Sequence, residues 1–295
     1  MVYPQIPAIP NNPAMSQMAE ILPGIVYSSQ TGTPLTLHIL TPWRRQSAEH
    51  EPAKHPLIVF IQGCAWTSPN INYEIPQLSE YAKKGYIVAT VSHRNCLEGH
   101  PFPAFLQDVK TAVRFLRAHA EKYGIDPERV AAFGSSSGGN IALLLGVTGD
   151  DPQYRTSEYA DFSDSVKAVV DCFGPTDLTA MADAILAANP NAHESQEGVI
   201  FLSLCGNSLS GSREILKTMS PYHLLEEEKE YPPFFLLHGD ADLTVPYSQS
   251  ESMYHKLLDY RADARMLRVT GGAHEESFWS REVHDRILDF LKETL

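Results

Sequence analysis

Positive charge is scarce in this chain. It carries 23 Lys and Arg against 36 Asp and Glu, a formal net charge of −13, which argues against nucleic acid and anionic membranes as partners. Cysteine is scarce too. The four present, Cys64, Cys96, Cys172 and Cys205, lie far apart, with no C-x-x-C pair and no Cys/His cluster at zinc spacing, so no metal and no cofactor is expected. No run of about 18 apolar residues occurs, so no membrane span is expected. The first residues, Met1-Val2-Tyr3-Pro4-Gln5-Ile6-Pro7, lack the basic and apolar segments of a secretion signal. A cytoplasmic protein with reduced thiols is the expectation. No internal repeat is visible, and the acidic run Glu226-Glu227-Glu228-Lys229-Glu230 reads as a solvated face.

What remains is an ordinary globular composition. The 295 residues, 43% hydrophobic and 20% charged, suit one large α/β domain. Prolines 4, 7, 10 and 13 make residues 1–22 an extended Pro-rich arm, leaving 23–295 as the domain. Leu35–Leu40 alternates and ends before a proline, as an edge strand does. Residues 44–55 are polar and read as a loop. Continuous apolar runs at 56–61, 86–91, 130–133, 166–170, 233–238 and 264–269 are of buried parallel-strand type. Helical patterns fall between them at 74–84, 105–123 and from 141 onward, with a closing helix over 283–295. This alternation predicts a mostly parallel central sheet with helices on both faces. Residues 175–231 are too many for a simple crossover. With helical patterns at 180–188 and 212–219, they are expected to form a helical insertion, a partial cap above the carboxyl edge of the sheet where ligand crevices lie.

The informative stretch is Gly134-Ser135-Ser136-Ser137-Gly138. It follows the apolar run Val130–Phe133 and precedes Ile141–Leu145, so G-x-S-x-G sits on a strand–turn–helix. A serine there is held in a strained turn with its hydroxyl aimed out of the sheet. The start of the next helix directs free N–H groups at whatever Ser136 attacks.

A serine hydroxyl needs a base to take its proton and a carboxylate to orient that base, and in this fold the acid and then the histidine follow the serine in the chain. His238-Gly239-Asp240-Ala241-Asp242 directly follows a strand and offers two carboxylates. Gly271-Gly272-Ala273-His274 follows the last strand, and His274 alone among the 12 histidines lies between that strand and the final helix. His238 reads as structural and His284 as a surface residue of the last helix. The developing oxyanion needs donors: one is expected from the Ser137 N–H, the other from Gly63 or Cys64 in the turn Gln62-Gly63-Cys64-Ala65-Trp66, with Cys64 favoured. Trp66, Ser135 and His93 are expected to line the substrate pocket.

With these residues in place, the chain resembles the esterase/lipase α/β-hydrolases from about residue 33 to 292. It is most similar to the feruloyl and acetyl esterase-like group labelled BD-FAE. His238-Gly239-x-x-Asp242-x-x-Val245-Pro246 matches the family's acid motif, which selects Asp242 over Asp240, and Gly272-x-His274 matches its histidine loop. Two features depart from the pattern. Gln62 and Cys64 stand where the family usually has His-Gly-Gly-x-Trp, which keeps the backbone donors but requires position 64 to avoid strongly positive φ. Ser135 and Ser137 replace the commoner Asp or Glu and Ala. The resemblance implies a serine carboxylic ester hydrolase acting through Ser136, Asp242 and His274 on small acyl or aryl esters, with acetylated or feruloylated carbohydrate as the substrate class. A peptidase or amidase on the same fold is the alternative. A non-enzymatic ligand receptor on a hydrolase scaffold is a third reading, which a full Ser-His-Asp set disfavours.

Overall fold

Apolar runs that alternate with amphipathic segments bury both by stacking helices on a sheet. The computed structural model describes residues 5–12, 15–30, 32–43, 54–189, 191, 195–207 and 211–295. In it the runs form one eight-stranded sheet in the order β1-β2-β4-β3-β5-β6-β7-β8. The strands are β1 (Ala19–Ser28), β2 (Leu35–Pro42), β3 (His55–Ile61), β4 (Ile87–Val91), β5 (Ile125–Ser135), β6 (Ala168–Cys172), β7 (Phe234–Gly239) and β8 (Ala264–Val269). β2 pairs antiparallel with both β1 and β4, and every other pairing is parallel. The parallel strands therefore end at one edge, and the loops after β3, β5, β6, β7 and β8 gather there.

The helices are α1 (Ile75–Lys83), α2 (Ala104–Ala118), α3 (Ala120–Tyr123), α4 (Ser137–Val147), α5 (Leu178–Ala188), α6 (Gln196–Leu204), α7 (Ser212–Thr218), α8 (Pro221–Leu224), α9 (Ser248–Asp259) and α10 (Arg281–Thr294). Alternation along the strands feeds two layers. Leu57, Val59 and Ile61 of β3 pack with Phe105, Val109, Leu143 and Met253 of α2, α4 and α9. Ile58 and Phe60 pack with Leu78, Tyr81, Ile287 and Leu291 of α1 and α10. Each such side chain contributes about 1.5–3 kcal/mol by leaving water. All of α4 is buried, as a helix without a polar face must be.

Several expectations change. The edge strand is β1 rather than β2, and it begins at Ala19, inside the stretch read as an arm. Pro23-Gly24 looks like a break in the sequence, but an edge strand tolerates it through a register shift between Leu22 and Ile25. The helix expected over 105–123 breaks at His119, whose Nδ1 lies 2.8 Å from the Phe115 carbonyl oxygen. The helices α6 and α9 were not anticipated. Most of the polar loop read at 44–55 lies outside the described residues. Two α2 cations, Lys110 and Arg114, are fully buried on Asp164 at 2.6 and 2.7 Å. They pin the loop after α4 against the helix.

Candidate active site

β5 ends at Ser135 and α4 starts at Ser137, which leaves Ser136 alone at the junction with φ 52° and ψ −124°. Such backbone costs on the order of 1–3 kcal/mol and persists only when its surroundings fix it. Here the Ser136 N–H donates to the Cys172 carbonyl at 2.9 Å, and its own carbonyl accepts from the Asn140 N–H at 3.1 Å. The flanking glycines are there for contact. A Cβ on Gly134 would strike the Gly138 carbonyl, and one on Gly138 would strike the carbonyl of Ile61 at the end of β3. The G-x-S-x-G spacing thus reflects three backbones packed together around one half-buried serine.

On one side of Ser136 stand the loops after β7 and β8. Their backbones touch where Gly239 meets the Gly272 carbonyl, a contact no Cβ at 239 would allow, and the Ala241 N–H donates to Gly272 O at 3.0 Å. That approach brings His274 over the sheet edge. Its Nε2 lies 3.0 Å from Ser136 Oγ, and its Nδ1 lies 2.7 Å from Asp242 Oδ2. A proton on Nδ1 satisfies the carboxylate and leaves Nε2 as the acceptor for the serine hydroxyl. Asp242 Oδ1 accepts the N–H groups of Thr244 and Val245 at 2.8 and 2.9 Å. Burial alone would raise this carboxyl; hydrogen bonds from His238, His274 and the Val245 N–H override it and hold Asp242 well below the usual carboxylate range. Asp240 sits outside this chain of contacts: it is exposed, and it accepts the Gly271 N–H at 2.6 Å. His238 is buried beneath the carboxylate, with Nδ1 2.7 Å from Ser250 Oγ and Nε2 2.9 Å from the Val245 carbonyl and 3.3 Å from Asp242 Oδ2. Phe173, which the sequence reading did not single out, presents its ring edge-on to His274 at 4.8 Å.

The other side is the turn after β3. Cys64 is not among the residues of positive φ; Ala65 and Trp66 carry it instead, at 52° and 57°. The Gly63 N–H donates to Ser135 Oγ at 3.2 Å, and the Cys64 N–H donates to Ser137 Oγ at 2.9 Å. The two amides expected to face an oxyanion directly are therefore engaged by the serines that flank Ser136. The Ser137 N–H belongs to the first turn of α4, where it has no intrahelical acceptor. Burial pushes the Cys64 thiol up to about 12, so it is neutral.

The three residues expected to line a pocket are all buried. Ser135 is fully buried on Gly63. Trp66 is buried, its indole N–H donating to Asn140 Oδ1 at 3.2 Å. His93 is buried with Nε2 3.6 Å from Cys64 Sγ and Nδ1 2.9 Å from the Arg94 carbonyl, and burial lowers its basicity. Asn140 was missed by the sequence reading. Its Nδ2 donates to the Pro175 and Met219 carbonyls at 2.9 and 3.0 Å, which ties the turn to the segment beyond β6. His284, expected at the surface, is half-buried. It stacks on Trp279 at 5.1 Å, and its Nδ1 is 3.0 Å from the Tyr81 hydroxyl. A cleft of about 820 Å³ opens beside it between α1 and α10, lined by Tyr73, Glu74, Gln77 and Arg281 but not by Ser136, Asp242 or His274. Among the described residues no helix is long and apolar enough to cross a membrane.

Known proteins share this architecture. A family model described as BD-FAE matches residues 46–257, a stretch that holds Ser136 and Asp242 and ends before His274. Esterase LipC of Mycobacterium tuberculosis is 30% identical over 241 residues, 80% of this chain and 56% of LipC. A probable carboxylic ester hydrolase of that organism, LipM, is 27% identical over 216 residues, 73% of this chain and 47% of LipM. The chain thus spans about half the length of these curated relatives. Among solved structures, a truncated carbohydrate esterase from gut microbiota superposes with a TM-score of 0.74 at 28% identity, over 96% of this chain and 99% of that one. The chain belongs to the BD-FAE family and has the α/β-hydrolase fold.

Proposed function

We propose that this protein is a serine carboxylic ester hydrolase. The observation that carries the reading is the unbroken line from Ser136 Oγ through the two nitrogens of His274 to Asp242, at 3.0 and 2.7 Å. In the proposed reaction His274 Nε2 takes the Ser136 proton as Oγ attacks the ester carbonyl. Asp242 holds the Nδ1 proton and stabilises the imidazolium that forms. The tetrahedral intermediate collapses as His274 returns the proton to the leaving alkoxide, which gives an acyl-enzyme and the free alcohol. Water, deprotonated by His274, then releases the acid. The Ser137 N–H is one oxyanion donor.

Small acyl or aryl esters are the proposed substrates, carbohydrate-linked acetate or ferulate among them. Family membership and the likeness to a carbohydrate esterase support this class. Residues 175–231 are proposed as a partial cap, supported by the anchorage of Pro175 and Met219 on Asn140 and by the Phe102 N–H bond to Leu204 O at 3.1 Å. The test is turnover of acetyl, butyryl and feruloyl esters beside a matching amide, with and without EDTA. The proposal predicts ester turnover that exceeds the amide's and ignores the chelator. Preference for the amide, or loss on chelation, overturns it.

A further inference from the structure

Two serine hydroxyls occupy the amides of the oxyanion turn, and one of them has a proton left to give. Ser137 Oγ accepts the Cys64 N–H at 2.9 Å and is 1% exposed. A hydroxyl that accepts still carries its own proton. Among the described residues the acceptor for that proton is Cys64 Sγ at 4.0 Å, against the 2.5–3.0 Å of an O–H···O bond. The thiol is also neutral, because burial pushes it up to about 12, so it offers no charge to the proton. Ser137 follows Ser136 directly, and its backbone N–H opens α4. In this fold the oxyanion forms between that N–H and the turn after the third strand. The Ser137 side chain reaches from α4 to the turn amide.

We propose that the Ser137 hydroxyl is the second oxyanion donor. It rests on the ester-hydrolase reading above. The Cys64 N–H donates to Ser137 Oγ, and the Ser137 O–H donates to the carbonyl oxygen as charge develops there. No bond breaks at Ser137 and its proton stays on Oγ; the step is stabilisation alone. A hydroxyl that already accepts an N–H is polarised toward stronger donation, and one fixed from both ends needs no reorganisation when the charge appears. The competing arrangement has substrate turn Ser137 aside so that the Cys64 N–H meets the oxyanion itself. That would strip a buried hydroxyl of the one strong bond it makes. The two arrangements differ in what alanine does at this position: in the first it removes a donor, and in the second it frees one.

The experiment measures kcat and KM on p-nitrophenyl acetate, and the inhibition constant of trifluoroacetophenone, for Ser137→Ala and Ser137→Thr. The ketone forms a hemiketal oxyanion with the nucleophile and so reports on the hole without turnover. Ser137→Ala is expected to lower kcat by about 10²–10³, as loss of one oxyanion donor does. KM should change little, and the ketone should weaken by the same factor. Ser137→Thr keeps the hydroxyl and should restore most of both. Should the alanine variant fail to fold, Ser137→Cys, which fills the site with a poor donor, should show the same parallel loss. Wild-type kcat and ketone affinity in Ser137→Ala, or a gain in both, overturns the proposal. Failure of the underlying reading looks different: Ser136→Ala then hydrolyses the ester like the wild type, and the ketone binds both equally.

Discussion

On the His274 side of Ser136, the polar contacts are those the proposed proton transfer would use. The imidazole faces the hydroxyl at one nitrogen and a carboxylate at the other, and that carboxylate is bound by two backbone amides and by His238. On the Cys64 side the contacts are between a backbone turn and hydroxyls, and the residues depart from the family pattern at Gln62, Cys64, Ser135 and Ser137. The difference follows from what each side must supply. A base and its orienting acid must be particular side chains, whereas stabilising an oxyanion takes only donors at the right place, from backbone or hydroxyl alike. In the proposed reaction, class is therefore read from one side of Ser136 and rate from the other.

The comparison breaks if the His274 side proves dispensable. Ser136→Ala and His274→Ala should each cost about 10⁴–10⁶ in kcat while leaving the fold intact, measured on p-nitrophenyl acetate with circular dichroism as the fold check. Asp242→Asn should cost up to about 10⁴, since the amide favours the wrong His274 tautomer. Asp240→Asn keeps an acceptor for the Gly271 N–H and should stay within about three-fold. Equal losses in the two would place the acid on the wrong carboxylate. The same substitution has a pH signature. The Asp242 carboxyl is held low in the fold, so its contribution to stability is complete above the unfolded value of about 3.9 and fades as the pH falls below it. The melting-temperature gap between wild type and Asp242→Asn should be flat at neutral pH and close in acid.

On the Cys64 side smaller effects are expected. Cys64→Gly retains the amide and should hold turnover within about ten-fold; a loss of about 10² or more would give the thiol a chemical role. With burial pushing its pKa up to about 12, Cys64 should react with iodoacetamide at pH 8 about 10² times more slowly than a free cysteine near 8.5. Alkylation at the free-thiol rate, followed by peptide mapping, would contradict the half-buried, neutral thiol.

Much of the His274 side was legible because its chemistry dictates residue type and chain order. G-x-S-x-G between a strand and an apolar helix, then two carboxylates after a later strand, then His274 behind two glycines, left few alternatives. The choice of Asp242 over Asp240 came from the family motif rather than from spacing. The Cys64 side was less legible because it is an arrangement of backbone and hydroxyls. Nothing in the string Ser135-Ser136-Ser137 says that the outer two face Gly63 and Cys64, or that Trp66 turns inward onto Asn140. Among the folded elements, β1 was hidden by Pro23-Gly24, and the burial of Lys110 and Arg114 was hidden because Asp164 lies far along the chain. Periodicity reports which face of a helix is apolar, not which distant carboxylate makes burying a cation tolerable.

The proposal that Ser136 is the nucleophile activated by His274 is tested most directly by covalent capture. The protein is treated with diisopropyl fluorophosphate, and its peptides are mapped by mass spectrometry. The proposal predicts a single phosphoryl adduct on Ser136, absent in Ser136→Ala and formed far more slowly in His274→Ala. An adduct on Ser135, Ser137 or Cys64, or labelling of Ser136 that is indifferent to His274, would contradict it.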